Sequence, residues 1–375
     1  MEHKLIAAGH ICLDITPVFD PERAVGSVEQ ILEPGKPIHM NGASVHTGGS
    51  VANTGLALKL LGNDVTLLGK VGDDAFGAMV RRILKSYGCQ GLLVDKDSAT
   101  SYSVVLAIPG IDRIFLHDPG ANDTFTGEEI PERVLEQADH FHFGYPPIMA
   151  QMYRRGGELL AAMLCRVKQA GLSTSLDLAA VDPASEAGRA DWEAILARAL
   201  PWVDFFVPSF EELAFMLDRP LYDALAARGG DMTRHRRQQD VARLSARCLA
   251  LGCGAVLLKC GTWGMYYKTA GRERLKQVGR KLGLDGALWA DREGYQPCFE
   301  ADCVRSGTGA GDVSIAAYLT ALCRGKDPAA CAALAAAEGA CSVTSYDALG
   351  GIRPLEELEA RIESGWKTMG GCDAG

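Results

Sequence analysis

No apolar run in the sequence approaches the roughly 18 residues that a membrane-crossing helix needs. The first residues, MEHKLIAAGHICLDI, lack the basic start, apolar middle and small-residue cleavage site of a secretory signal, and they read as a short strand. The expectation is a cytoplasmic chain. Basic residues are not in excess either. The 38 Lys and Arg against 47 Asp and Glu give a net charge of −9, which argues against a general nucleic-acid binder. The one dense basic run, Arg234-His235-Arg236-Arg237, is short and reads as a solvated helix face. Cys-x-x-Cys is missing although there are 12 cysteines. Cys12, Cys165, Cys260, Cys331 and Cys341 stand in apolar surroundings and read as small core residues rather than a disulfide framework. His-Glu-x-x-His is also missing. His140 and His142 alternate along HFHFG and would share one strand face. That spacing permits a metal pair, but with no third ligand evident a buried strand end is the better reading. There is no G-x-x-x-x-G-K-[ST] phosphate loop, and no G-x-G-x-x-G follows the first strand.

What the chain does have is glycine. Its 43 glycines in 375 residues are about 11 %, against a usual value of about 7 %. Short apolar runs alternate with helical patterns over most of the length. Strands are predicted at Lys4–Asp14, Asp64–Lys70, Tyr102–Ile108, Arg113–His117, His140–Gly144, Ser173–Leu178, Phe205–Pro208 and Ala255–Lys259. Helices are predicted between them, among them Val51–Leu61, Phe76–Tyr87, Gly156–Ala170, Glu211–Leu217, Gln238–Leu251, Val313–Cys323 and Ala329–Ser342. This alternation predicts an α/β fold, a three-layer, doubly wound and mostly parallel sheet covered on both faces. Two turn-rich extended segments, about 15–47 and about 97–120, break the rhythm and would form a small β lid. The polar stretch of about 270–300 is longer than an ordinary connection and has no role legible in the sequence.

Three segments carry chemistry. In Ser306-Gly307-Thr308-Gly309-Ala310-Gly311-Asp312, three glycines in five positions free the backbone to turn its amides toward an anion. The helix that follows adds its positive end. Asp312, where that helix opens, either caps it or accepts a proton from an attacking hydroxyl. In His46-Thr47-Gly48-Gly49-Ser50-Val51-Ala52-Asn53, Ser50 reads as a helix N-cap. The paired glycines are either a plain turn or a place for a ligand to approach, and the Asn53 amide suits a polyol. Asp14 ends the first predicted strand and places a carboxylate at the sheet rim.

Taken together and in this order, these segments resemble the ribokinase-like (PfkB) family of carbohydrate kinases, over roughly residues 4–350. The resemblance implies a single kinase domain over 1–375 with the lid inside it. It also implies ATP and Mg²⁺ as partners of a small-molecule sugar, and a homodimer formed through the lid. Asp14, Gly48, Gly49, Asn53 and Asn122 (in Gly120-Ala121-Asn122) would bind the sugar. Lys259, Gly261 and Gly264 match the nucleotide turn and, with Thr308, Gly309, Gly311 and Ser342, would hold the nucleotide. Glu212, in Val207-Pro208-Ser209-Phe210-Glu211-Glu212, would reach Mg²⁺ through water. Asp312 would be the base, with the amides of Gly309, Ala310 and Gly311 as an anion hole.

There are departures from the family pattern. Ser306 stands where the family has an aspartate that shapes a monovalent-cation site, which leaves a K⁺ requirement open, and Arg305 beside it would supply a fixed cation. Ser209 replaces an asparagine. Asp177 lacks the asparagine and arginine that follow it in relatives of sugar-phosphate kinases, which favours a non-phosphorylated sugar or sugar acid. A nucleoside kinase of the same fold and a non-catalytic sugar-binding regulator are the alternatives.

Overall fold

The computed structural model describes residues 3–22, 24–111 and 113–369. The run predicted as one strand over Lys4–Asp14 is two. β1 (Lys4–Gly9) ends at Gly9, whose φ of +127° is open to glycine, and β2 (Cys12–Pro17) starts in a different sheet. A Cβ at Gly9 would land on the carbonyl oxygen of Gly144, so the backbones touch where the chain leaves the main sheet. Asp14 therefore lies inside β2 rather than at the end of the first strand.

β1 pairs in parallel with β4 (Asp64–Leu68) on one side and β9 (His140–Gly144) on the other. The sheet continues through β10 (Ser173–Leu176), β11 (Phe205–Phe206) and β12 (Ala255–Lys259), all parallel. β13 (Gly264–Thr269) and β14 (Glu293–Pro297) then close that edge antiparallel. The full order is β14-β13-β12-β11-β10-β9-β1-β4. Helices cover both faces, as the alternation predicts. On one face Leu5, Ala7, Phe205 and Leu257 pack with helices Ser50–Leu60, Ala310–Cys323 and Pro328–Ser342. On the other, Ile6, Phe141, Phe143 and Val256 pack with helices Ala150–Gln169, Phe210–Leu217 and Gln238–Ala250. The predicted start at Gly156 is close to where regular helix resumes, because Arg155, Gly156 and Gly157 are left-handed within Ala150–Gln169. Among the described residues, no helix is long and apolar enough to cross a membrane.

A second, four-stranded sheet has the order β3 (Ala43–Gly48), β2, β7 (Tyr102–Leu106), β8 (Ile114–Asp118). It draws on both turn-rich segments. A two-stranded ribbon of β5 (Lys70–Gly72) and β6 (Leu93–Asp95) lies apart from both sheets.

His140 and His142 lie on one buried face, but serines hold their rings. His140 takes Ser173 Oγ at 2.7 Å and Ser175 Oγ at 2.8 Å, and His142 Nδ1 takes Ser175 Oγ at 2.8 Å. Burial pushes both imidazoles down to about 3, so they are neutral.

The stretch of about 270–300 acquires a structural role. It supplies edge strand β14 and the buried Trp289, whose Nε1 donates to Lys326 O at 3.1 Å. It also supplies Arg274, which reaches Asp204 Oδ1 at 3.1 Å. Asp204 is fully buried and also holds Lys168 at 2.7 Å. One carboxylate thus pins the Ala150–Gln169 helix and the insertion to the start of β11. Asp204→Ala leaves two cations facing a buried gap and is expected to cost about 3–5 kcal/mol, read as a lowered urea midpoint.

Candidate active site

Several parallel strands deliver residues to one rim. β9 leads to Tyr145, β10 to Asp177, β11 to Ser209 and β12 ends at Lys259. In an open parallel sheet this C-terminal rim is where ligands collect. The helix Ala310–Cys323 begins above it. Its N-cap, Gly309, has φ +72°, and a Cβ there would land on Ala348. Ala310 N–H is engaged by Gly307 O at 3.3 Å. This removes Ala310 from the anion hole read in the sequence. Among the described residues the amides of Gly309, Gly311 and Asp312 meet no acceptor. A Cβ at Gly307 would meet nothing within 4 Å, and one at Gly311 would come no nearer than 3.8 Å to Lys259. Three open amides, a helix dipole and free space above them fit an anion of phosphate size.

Asp312 is 4 % exposed. Its Oδ2 accepts from Tyr145 OH at 2.7 Å and from Asn53 Nδ2 at 3.1 Å, and its Oδ1 accepts from Thr54 Oγ1 at 3.1 Å. Burial raises its pKa, while Tyr145, Lys259, Asn53 and Thr54 pull it down. Asn53 and Thr54 project from the first turns of helix Ser50–Leu60. The N-cap of that helix is Gly49, at φ +85°, and not Ser50. Ser50 is the first helical residue. Its hydroxyl is buried without a partner, against the backbone of Gly144.

Lys259 Nζ donates to Asp177 Oδ1 at 2.7 Å. Lys259 thus turns into the rim, toward Asp177, Glu212 and Asp312, and away from the nucleotide turn with which it is read in the sequence. These three carboxylates outweigh the burial that would lower its pKa, so it is held as a cation. Burial and the neighbouring carboxylates raise Asp177. Ser209 and Glu212 form a reciprocal cap: Glu212 Oε2 accepts Ser209 N–H at 2.7 Å, and Ser209 Oγ accepts Glu212 N–H at 3.3 Å. This leaves Oε1 of Glu212 for another partner. Among the described residues no three His, Cys, Asp or Glu side chains converge to hold a metal by themselves. The rim fits Mg²⁺ only as an ion carried largely by phosphate oxygens and water.

Asp14 faces His46 of β3 and Ser103 of β7 in the second sheet, and Cys12 Sγ donates to it at 3.2 Å. Burial raises its carboxyl above the ordinary aspartate range, against Cys12, Ser103, His117 and His46. Gly48 and Gly49 serve the protein's own side chains. A Cβ on Gly48 would strike the Asp14 carboxylate, and one on Gly49 would sit 2.6 Å from His10 Nδ1. His10 is 2 % exposed, neither ring nitrogen has a partner, and its ring centroid lies 5.1 Å from that of His117. Asn122 is buried with its polar atoms engaged. Its Oδ1 accepts Ile11 N–H at 3.1 Å, and its Nδ2 donates to Ile11 O at 2.9 Å and Pro119 O at 3.1 Å. It is fully buried and locks the crossover between the sheets.

At the nucleotide turn, Gly261 (φ +56°) packs on Thr233 and Gly264 (φ +115°) on Gln296 O. Trp263 stacks on Tyr295 with ring centroids 3.9 Å apart, and the Arg236 guanidinium lies over the Trp263 ring, 4.0 Å from its centroid. The basic run is therefore no helix face. Its first half is the 3₁₀ turn Met232–His235, and Arg236 covers an aromatic. Thr308 is tied to Ser306, whose Oγ both donates to Thr308 Oγ1 and accepts its N–H, at 3.1 Å each. Ser342 ends helix Pro328–Ser342, and its buried hydroxyl lacks a partner. Gly351 backs onto it, with a Cβ there 2.6 Å from Ser342 Cα. The sequence motifs assign no role to Tyr145, Thr54, His10 or His117. The position of His10 directly after a strand-ending glycine was the available signal.

The profile of the pfkB family carbohydrate kinase matches residues 12–353. The chain belongs to that family. The pfkB chain is 28 % identical over 223 residues to an ATP-dependent ribose-1-phosphate kinase of Halopiger xanaduensis, covering 57 % of this chain and 64 % of that one. It is 31 % identical over 167 residues to fructokinase-2 of Oryza sativa subsp. japonica, covering 43 % and 48 %. The matched segments thus span about half to two thirds of these relatives. In fold it is similar to Arabidopsis thaliana ribokinase complexed with ribose and ATP, with a TM-score of 0.69, 19 % identity, and 96 % and 98 % of the two chains covered.

Gly49→Ala would force a side chain into left-handed backbone and against His10. A loss of about 1–3 kcal/mol is expected, measured by thermal or urea unfolding.

Proposed function

We propose that this pfkB-family protein transfers the γ-phosphoryl group of ATP to a hydroxyl of a small, non-phosphorylated sugar or sugar acid. One observation carries the reading: the buried Asp312 carboxylate stands beside three open amides at the start of a helix. The acceptor hydroxyl gives its proton to Asp312 as its oxygen bonds to phosphorus. The bond from phosphorus to the bridging oxygen breaks, and ADP leaves. The amides of Gly309, Gly311 and Asp312 and the Lys259 cation stabilise charge on the transferred group. Bound Mg²⁺ would supply charge neutralisation on the phosphates, with Glu212 Oε1 ordering its water. Asp14 and Asn53 would grip the acceptor, and the second sheet would close over it as a lid and exclude water. The groups that act most strongly on the Asp14 carboxyl are Cys12, Ser103, His117 and His46 rather than an arginine or lysine, which supports an acceptor without its own phosphate.

A nucleoside acceptor is the second reading, supported by a cavity of about 180 Å³. His117, Pro119, Pro147, Ile148 and Tyr153 line it, and they suit a flat apolar group. The outer strands of the second sheet expose Val45, Phe115 and Leu116, which supports a homodimer formed through that sheet. Light scattering at micromolar concentration is expected to give twice the chain mass, and Phe115→Glu to reduce it to one.

The test of function is a coupled ADP-release screen over free sugars, sugar acids, polyols and nucleosides. Turnover with a free sugar or sugar acid is expected, and turnover with nucleosides alone would select the second reading. Asp312→Asn should lower kcat by about 10²–10⁴ while ATP still binds. ATP binding with no turnover on any acceptor would instead favour a non-catalytic regulator. Because burial raises the Asp312 carboxyl, kcat/KM should rise with pH through a limb above the ordinary aspartate value of about 4. Ser306, which bonds Thr308 within its own loop, brings no carboxylate to hold a monovalent cation, so K⁺ is expected to leave the rate unchanged.

A further inference from the structure

A carboxylate offers about four lone-pair positions, and protein donors hold three of those on Asp312. Oδ2 carries both Asn53 and Tyr145, and Oδ1 carries Thr54. Asn53 and Thr54 are fixed by the first turns of a buried helix. Tyr145 is held differently. It sits at φ +68°, ψ +39°, in the left-handed region that a bulky residue avoids, and directly before Pro146, which disfavours helical backbone at the preceding residue. Glycine would adopt this conformation without strain. The strained turn aims a phenol at the base with the shortest of the three contacts, 2.7 Å. His10, with both ring nitrogens unpartnered, lies 6.3 Å from the Tyr145 ring between centroids.

We propose that the Tyr145 hydroxyl guards the base: it takes the Oδ2 lone pair until an acceptor hydroxyl displaces it, and so denies that lone pair to water. Without the guard, water gives its proton to Asp312 and its oxygen bonds to the γ-phosphorus. The bond to the bridging oxygen breaks, and ATP becomes ADP and inorganic phosphate. With the guard, only an acceptor held by other contacts at the Asp14 side competes successfully for Asp312. Tyr145 is in this sense a positioning residue that sets the ratio of transfer to hydrolysis.

The inference rests on the kinase reading, and one experiment separates the two. ATP hydrolysis without acceptor and phosphoryl transfer to the best acceptor of the screen are measured for wild type, Tyr145→Phe and Tyr145→Gly. The glycine variant also relieves the backbone, so it reports even if the phenylalanine variant folds poorly. The ratio of hydrolysis to transfer is expected to rise about five- to tenfold in both variants, the rate equivalent of one hydrogen bond. A merely structural loss would depress both rates and leave the ratio unchanged. Wild-type transfer with an unchanged ratio in the variants overturns the guard and leaves the kinase reading intact. A wild type that transfers to no acceptor overturns both.

Discussion

Burying a carboxylate is costly unless donors surround it, and the rim of this protein is organised around that demand at Asp312. Its partners come from residues 53, 54 and 145, so one side chain joins the N-terminal helix, the end of β9 and the helix Ala310–Cys323. The same helix start presents three unengaged amides to the space beside it. Carboxylate and open amides are therefore a single rigid unit, because both belong to one helical turn.

Around this unit carboxylates outnumber cations. Asp177, Glu212 and Asp312 face Lys259, which Asp177 fixes at 2.7 Å. A rim carrying a net negative charge would repel a nucleotide if the amides and the helix dipole did not face the same space. This makes the neutral backbone donors the counterweight at the rim. The Ser209–Glu212 cap acts on the same balance, since it holds one oxygen of Glu212 down and leaves the other open.

Much of the fold was legible because it depends on local pattern. The alternation of apolar runs and helical faces located the parallel core, and the helix predicted at Glu211–Leu217 is observed at Phe210–Leu217. Asp312 and Asn53, named from separate motifs, stand in contact at 3.1 Å, whereas Asp14 lies in the second sheet. What failed depended on distant contacts. Asn122 stood in the expected place, yet Ile11, 111 residues away, takes up its amide. Gly48 and Gly49 read as room for a ligand, but the bodies nearest them are Asp14 and His10. The break at Gly9 was hidden because residues on both sides of it are equally apolar. Edge strands β13 and β14 lie in polar, irregular sequence and gain their order from the sheet they join.

The crossover at Gly9 joins the two sheets through only His10 and Ile11. The other crossings lie close to it: Gly49 packs on His10, Ala121 N–H bonds to Ala99 O at 2.7 Å, and Leu13 N–H bonds to Ser101 O at 3.0 Å. The second sheet also rests on the helix Ala75–Ser86, where Phe76 meets Tyr102 edge-on at 5.6 Å between ring centroids and Val80 shares an apolar cluster with Leu13. Asp14, three residues past Ile11, belongs to that sheet, while Asp312 belongs to a helix of the core. The separation of the two carboxylates is therefore set by how the second sheet sits on the first, so a change at the crossover is felt at both.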